Sequence, residues 1–209
     1  MALQQNGIYI AIEGIDGSGK SSLLKNLALE LKNLGYKVHC TKEPGGSELG
    51  KNIRTILQEK PVAVSSKAEF LLFASDRAQH IEEVVKPYLE ENYIVLSDRC
   101  SDSSVVYQGY GRGLDIPMIQ MINQWATENL FPQLTFYVSI DLATAQQRIL
   151  KRNEAITSFE KEKESFFNNL IKGYQSLYKD RKDVVILDGC KSTNELAQEA
   201  LNHILRCIQ

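Results

Sequence analysis

Apolar residues fall along this chain in two alternating rhythms. Ile8-Tyr9-Ile10-Ala11-Ile12 is a continuous, largely β-branched run and predicts a buried strand. Leu23, Leu24, Leu27, Leu31 and Leu34 then recur at helical spacing, and Gly35 marks the stop before a second strand, Tyr36 to Thr41. Ser47 is placed to cap a helix through Leu49, Ile53, Ile56 and Leu57. A long amphipathic helix is predicted from Lys67 to Glu90, with Pro87 near its end. Tyr93 to Ser97 reads as a third strand, Asp115 to Leu130 as a helix belonging to the core or to a subunit contact, and Leu134 to Ile140 as a fourth strand. Another helix begins near Leu142. Residues 153–165 are polar with Phe159 isolated, and helical periodicity returns at Phe166, Phe167, Leu170, Ile171, Tyr174, Leu177 and Tyr178. Val184 to Leu187 is a fifth strand and Thr193 to Ile208 a closing helix.

Strands alternating with helices predict an α/β fold. The first crossover, being right-handed like nearly all such units, sets strand two parallel to strand one. No repeat or linker divides the sequence, and 209 residues suit a single domain spanning 1–209. The net charge of −2, with both signs interspersed, leaves no electrostatic footprint for nucleic acid or for an anionic membrane. Small-molecule ligands are expected instead. Cys40, Cys100, Cys190 and Cys207 are widely separated, which disfavours a zinc site or disulfide framework. The opening Met-Ala-Leu-Gln-Gln-Asn has no basic region before an apolar core, and no run is long enough to span a membrane, so a cytoplasmic location is expected.

Between the first strand and first helix stands Gly14-Ile15-Asp16-Gly17-Ser18-Gly19-Lys20-Ser21, a complete G-x-x-x-x-G-K-[ST] phosphate-binding loop. Its glycines admit torsions that turn successive N–H groups toward phosphate oxygens, and the helix N-terminus adds its positive end. Lys20 is placed to reach the β- and γ-phosphates of a nucleoside triphosphate, with the Ser21 hydroxyl as a ligand of Mg²⁺. Asp98, at the end of a strand predicted beside the loop, is either the matching acidic ligand or a surface turn carboxylate, and in the first case Arg99 points at phosphate.

Glu43-Pro44-Gly45-Gly46 falls at the carboxyl end of strand two, where open α/β sheets bind ligands, although it also suits a plain turn. Arg54 projects from the next helix, as a phosphate ligand or a solvated charge. Phe73 and Arg77, four apart, share a helix face. They could stack on a base and bond its edge, or be a core phenylalanine with an arginine laid along it. Residues 101–113 concentrate hydroxyls, an amide, tyrosines and glycines, as a base-binding segment or a flexible loop would. Arg148, Lys151 and Arg152 precede the polar stretch, which reads as a mobile flap closing on phosphates or as a solvated hairpin.

The loop with Asp16, Glu43-Pro44-Gly45-Gly46, Arg54, the Phe73 to Arg77 spacing, Asp98-Arg99 and Ser103-Ser104-Val-Val-Tyr107-Gln108-Gly109 resembles the thymidylate kinase family from about residue 8 to 205. The resemblance implies a P-loop kinase fold: a five-stranded parallel sheet flanked by helices on both faces, with a small helical lid at about 148–165. It implies a homodimer that transfers the ATP γ-phosphoryl group to dTMP, giving dTDP and ADP. It also implies that Phe73 stacks on thymine while Arg77, Ser104 and Gln108 meet the base edge. Tyr107 would lie beneath the deoxyribose, Arg54 and Arg99 would hold the dTMP phosphate, Glu43 would line the acceptor site, and Asp16 would sit near the 3′-hydroxyl or a metal-bound water. One branch of the family carries a basic residue where this chain has Gly17, and the other supplies arginines from the lid. Gly17 points to the second branch, yet Ser158 stands about where the lid arginine is expected, leaving Arg148, Lys151 and Arg152 as candidates. The alternatives are a kinase of another nucleoside monophosphate, a deoxynucleoside kinase using Glu13 or Glu43 as base, and a non-catalytic nucleotide-binding module; the absent N-K-x-D motif argues against a GTPase-like switch.

Overall fold

The computed structural model describes residues 7–59, 63–152 and 157–208. Its five parallel strands, β1 (Ile8–Glu13), β2 (Val38–Lys42), β3 (Ile94–Asp98), β4 (Leu134–Ser139) and β5 (Val184–Asp188), lie in the order β2-β3-β1-β4-β5. The run that opens the sequence is therefore the central strand, hydrogen-bonded on both sides, and five of its six residues are buried. A strand buried on both faces reads as a continuous apolar run for this reason.

Alternate residues of these strands serve different layers. Ile10, Ile12, Leu134, Phe136 and Val138 pack under α1 (Lys20–Asn33) and α9 (Thr193–Cys207), with Leu23, Leu27, Leu31, Leu196, Ala200 and Ile204 filling that side. On the other face Tyr9 and Val95 meet Ile81 and Val85, while Tyr137 packs on Tyr174 and Tyr178 of α8 (Glu164–Tyr178). Helices cover both faces, as expected. Among the described residues no helix is long and apolar enough to cross a membrane.

The long helix expected over 67–90 is interrupted. It forms as α3 (Ser66–His80), a π-helical stretch Ile81–Val85 and α4 (Lys86–Glu90). The Lys86 N–H donates to the Ile81 carbonyl, five residues back, immediately before Pro87, which has no N–H to give. A wider turn there eases the proline ring into a helix it would otherwise break. Residues 101–113 are likewise not a flexible loop. They fold as α5 (Ser101–Ser104) and a second π-helical stretch, Val105–Gly111, stitched by Arg112 N–H to Tyr107 carbonyl at 3.0 Å. The following helix α6 (Ile116–Ala126) is shorter than predicted, because Glu128 and Asn129 take positive φ and end it.

Candidate functional site

The loops after β1 and β3 leave toward opposite faces of the sheet, which opens a crevice at the carboxyl ends of these neighbouring strands. A cavity of about 550 Å³ lies there, and of the expected site residues it is lined by Asp16, Lys20, Ser21, Glu43, Arg54, Phe73, Arg77, Asp98, Arg99, Ser104, Tyr107, Gln108 and Arg152. Tertiary structure thus gathers residues from six separate stretches of sequence.

The phosphate loop has the strand-to-helix setting that its sequence required. Gly19 is the N-cap of α1 at φ 102°, with no side chain capping the helix. The amides of the first turn are left for an anion. Gly17 has φ 81°, and a Cβ there would lie 2.5 Å from the Ala145 carbonyl oxygen of α7 (Leu142–Lys151). No side chain, basic or otherwise, fits at position 17, so this loop cannot supply its own extra cation. Lys20 is buried and donates from Nζ to the Ile15 carbonyl at 2.9 Å. Burial and the nearby Arg99 lower its pKa, against the opposing pull of Asp98, Asp16 and Glu13. Ser21 Oγ donates to Asp98 Oδ2 at 2.6 Å, so the hydroxyl and carboxylate that a P-loop uses toward Mg²⁺ are already together.

Arg99 is the junction between loop and sheet. Its backbone sits at φ 77°, unusual for a side-chain-bearing residue and a form of strain that concentrates at functional sites. Nη2 donates to Asp16 Oδ1 at 2.6 Å and to the Tyr107 hydroxyl at 2.9 Å, while Nη1 donates to the Gly14 carbonyl at 3.0 Å and to Ser103 Oγ at 3.1 Å. Burial would raise the Asp16 carboxyl, but Arg99 and Lys20 outweigh it and hold it below the ordinary carboxylate range. Behind this cluster Glu13 is fully buried. It accepts from the Cys100 and Ser103 amides and from the hydroxyls of Ser103 (2.8 Å) and Tyr174 (2.8 Å).

At the far end of the crevice Arg77 is pinned on several sides. Nε donates to Glu43 Oε2 at 2.9 Å, Nη1 to Asn123 Oδ1 at 2.7 Å, and Nη2 to Ser104 Oγ at 3.1 Å and the Cys100 carbonyl at 3.4 Å. Glu43 also meets His80 Nδ1 at 3.0 Å, and Thr41 Oγ1 lies 2.7 Å from the other ring nitrogen. Burial pushes the Glu43 carboxyl up, yet Arg77 and His80 more than reverse this and leave it lowered. Arg54 donates to the Pro44 carbonyl at 2.9 Å, so its guanidinium is turned toward the crevice and is not a free surface charge.

Two expectations need revision. Phe159 is not isolated: it is buried, its ring centroid 6.0 Å from those of both Phe73 and Tyr107. An apolar ring in a polar stretch is held wherever an aromatic floor exists, and α3 and the second π stretch provide one. The adjacent Ser158 donates to the Leu57 carbonyl of α2 (Glu48–Glu59) at 3.0 Å, which ties this turn across the crevice. The three basic candidates also separate, and Lys151 is exposed at the end of α7. Arg148 lies outside the crevice, donating to the carbonyls of Ser18 (3.2 Å) and Gly189 (2.9 Å) and so bracing the loop from behind. Arg152 reaches the crevice and pairs with Glu160, with a bond of 2.6 Å to Oε2. Residues 153–156 of the expected lid, the terminal stretch 1–6 read for targeting, residues 60–62 and residue 209 lie outside the described residues.

Glu69, Arg112 and Glu160 were not singled out as parts of the site, and Glu13 only as the base of an alternative kinase. For Glu69 a signal existed, since it stands four before Phe73 and eight before Arg77 on the same helix face. For Glu13 and Arg112 contact order hides the role, their partners being far away in sequence, while Glu160 pairs with Arg152 only eight positions before it in a stretch with no helical period.

A sequence profile described as Thymidylate kinase matches residues 12–200. A curated Thymidylate kinase of Halothermothrix orenii is 39% identical over 204 residues, 97% of this chain and 98% of that protein. Another, of Thermosipho africanus, is 39% identical over 202 residues, 97% of this chain and 100% of that protein. A crystal structure of thymidylate kinase from Ehrlichia chaffeensis superposes with a TM-score of 0.77 at 28% identity, covering 96% of this chain and 99% of that one.

Proposed function

The chain belongs to the thymidylate kinase family, and on that premise we propose how its site phosphorylates dTMP with ATP. The triphosphate rests on Gly14 to Ser21, with Lys20 on the transferring phosphoryl group. The acceptor lies between Phe73 and Tyr107, its base edge toward Arg77, Ser104 and Gln108 and its phosphate toward Arg54 and Arg99. Arg99 stands between the two anions, because its bonds reach both the loop, at Gly14 and Asp16, and the acceptor wall, at Tyr107. Catalysis is then alignment and charge neutralisation of two polyanions for an in-line displacement.

One observation favours a phosphate acceptor over a hydroxyl. A nucleoside kinase needs a carboxylate to take the hydroxyl proton. Both candidates are committed elsewhere: Glu13 is buried among the Cys100, Ser103 and Tyr174 donors, and Glu43 is shared by Arg77 and His80. A monophosphate is already anionic and needs no base.

The Ser21 and Asp98 pair suits Mg²⁺, which typically takes one or two protein ligands and completes its shell with phosphate oxygens and water. Bound there, the ion would neutralise phosphate charge and orient the β- and γ-phosphates. Arg152, released from Glu160, is the lid cation we assign to the transferring group; Arg148 holds the loop in shape. The whole chain is read as one kinase domain. A homodimer fits α6, which exposes Met118, Met121 and Trp125, the last at 81%, beside the exposed Leu71 of α3.

ADP release from ATP and Mg²⁺ across dTMP, dUMP, dCMP, dGMP and thymidine tests this reading. Strong preference for dTMP supports it. Preference for thymidine would overturn the acceptor assignment.

A further inference from the structure

Glu69 is 1% exposed and occupies the same face of α3 as Phe73 and Arg77, one turn earlier. It accepts from Gln108 Nε2 at 3.1 Å and from Arg112 Nε at 3.2 Å and Nη2 at 3.4 Å. A carboxylate has lone pairs but no proton, so it fixes which end of a neighbouring amide faces it. Gln108 must present its NH₂ to Glu69 and its Oε1 to the other side. Gln108 is itself buried and lines the crevice beside Phe73, Arg77 and Ser104. Arg112 extends the chain of contacts: Nη1 lies 2.7 Å from Glu162, and its guanidinium covers the rings of Phe159 (5.7 Å) and Phe166 (4.7 Å).

We propose that Glu69 is a positioning residue for base selection, locking Gln108 with its carbonyl oxygen toward the acceptor, and that Arg112 ties this lock to the turn carrying Phe159 and Glu162. The inference rests on the reading of the crevice as a dTMP site. An outward Oε1 accepts from the N3–H of thymine. It repels the N3 lone pair of cytosine, which a reversed amide would welcome. Selection at a buried polar contact of this kind is strong because the wrong partner leaves a group unpaired. Glu69 touches no substrate; it acts through Gln108.

The test is a double-mutant cycle on the full chain, reading kcat and KM for dTMP and for dCMP. Glu69→Gln can show Gln108 either an oxygen or an NH₂, so the amide loses its single orientation. The ratio of kcat/KM for dTMP over dCMP should fall about 10- to 100-fold, with KM for ATP within about twofold of the wild type. In a Gln108→Leu background the same substitution should change the ratio by less than about twofold, since the group it orients is gone. A purely structural role would instead lower activity toward both substrates and add in both backgrounds, and that result overturns the lock. Should Glu69→Gln not fold, Glu69→Asp, which draws the carboxylate back from Gln108 by one methylene and so releases the amide, carries the same expectation in the same cycle. Wild-type protein without preference for dTMP over dCMP would refute the functional reading itself, a failure distinct from additivity in the cycle.

Discussion

Replacing Glu43 by alanine should destabilise the protein and weaken the acceptor site together. The Glu43 side chain is 3% exposed and shared by Arg77, at 2.9 Å, and His80, at 3.0 Å, both on α3 and themselves buried. Removing one member of such a pair leaves a guanidinium in the interior without its counter-charge, at a cost of about 3–5 kcal/mol. Against the roughly 5–15 kcal/mol by which domains are stable, that is a large share. At about 2–4 °C per kcal/mol for a chain of this size, Tm should drop by roughly 6–20 °C. The loss depends on pH. Arg77 and His80 hold the carboxyl below its ordinary range despite burial, so its contribution is full above the ordinary carboxylate pKa and is lost as pH falls through the lowered folded value. Urea unfolding at pH 7 measures the energy, and steady-state kinetics should show KM for dTMP rising through misplaced Arg77 while KM for ATP holds. An unfolding free energy within about 1 kcal/mol of the wild type would refute the reasoning, because no buried cation could then be left uncompensated.

Lys20→Ala should lower kcat by about two to three orders of magnitude with the unfolding midpoint little changed, as removal of one preorganised charge at a transferring group does; near-normal turnover would exclude the assigned role. Gly17→Ala places a Cβ 2.5 Å from the Ala145 carbonyl at φ 81°, so it should cost roughly 1–3 kcal/mol and weaken ATP binding, both readable by nucleotide-dependent thermal shift. Asp76 is buried with Glu43 nearby, and its pKa is pushed up to about 6. The folded state therefore binds the extra proton, stability declines as pH rises from the ordinary carboxylate range through about 6, and Asp76→Asn should flatten that decline in urea titrations across this window. Met121→Glu combined with Trp125→Glu should convert a dimer to a monomer in sedimentation; an unchanged sedimentation coefficient would move the subunit contact away from α6.

The strands, the helices and the phosphate loop were legible in the sequence because each is set by local rules. The run Ile8 to Ile12 and the glycines of Gly14 to Ser21 carry the strand and the turn in neighbouring residues, although Arg148 braces the loop from a distance. Phe73 with Arg77, and Asp98 with Arg99, were likewise visible as spacings. Hydrophobic periodicity does not register a one-residue widening, so both π-helical stretches escaped it. Burial order was equally hidden. Phe159 looked isolated because its partners, Phe73 and Tyr107, lie 86 and 52 positions away, and Ser158 gave no sign that it would fasten to Leu57.

The sequence by itself determined that this chain folds as alternating strands and helices around a phosphate loop, because backbone periodicity and glycine torsions are local properties. Only the tertiary structure decided that β1 is central, that Glu13 and Glu43 are committed to buried donors, that Arg148 donates to the loop carbonyl of Ser18 while Arg152 faces the crevice, and that Glu69 meets Gln108. Whether a charged group is a ligand, a brace or a surface charge depends on which partners reach it and how much water remains. Those are set by the packing of segments distant in sequence.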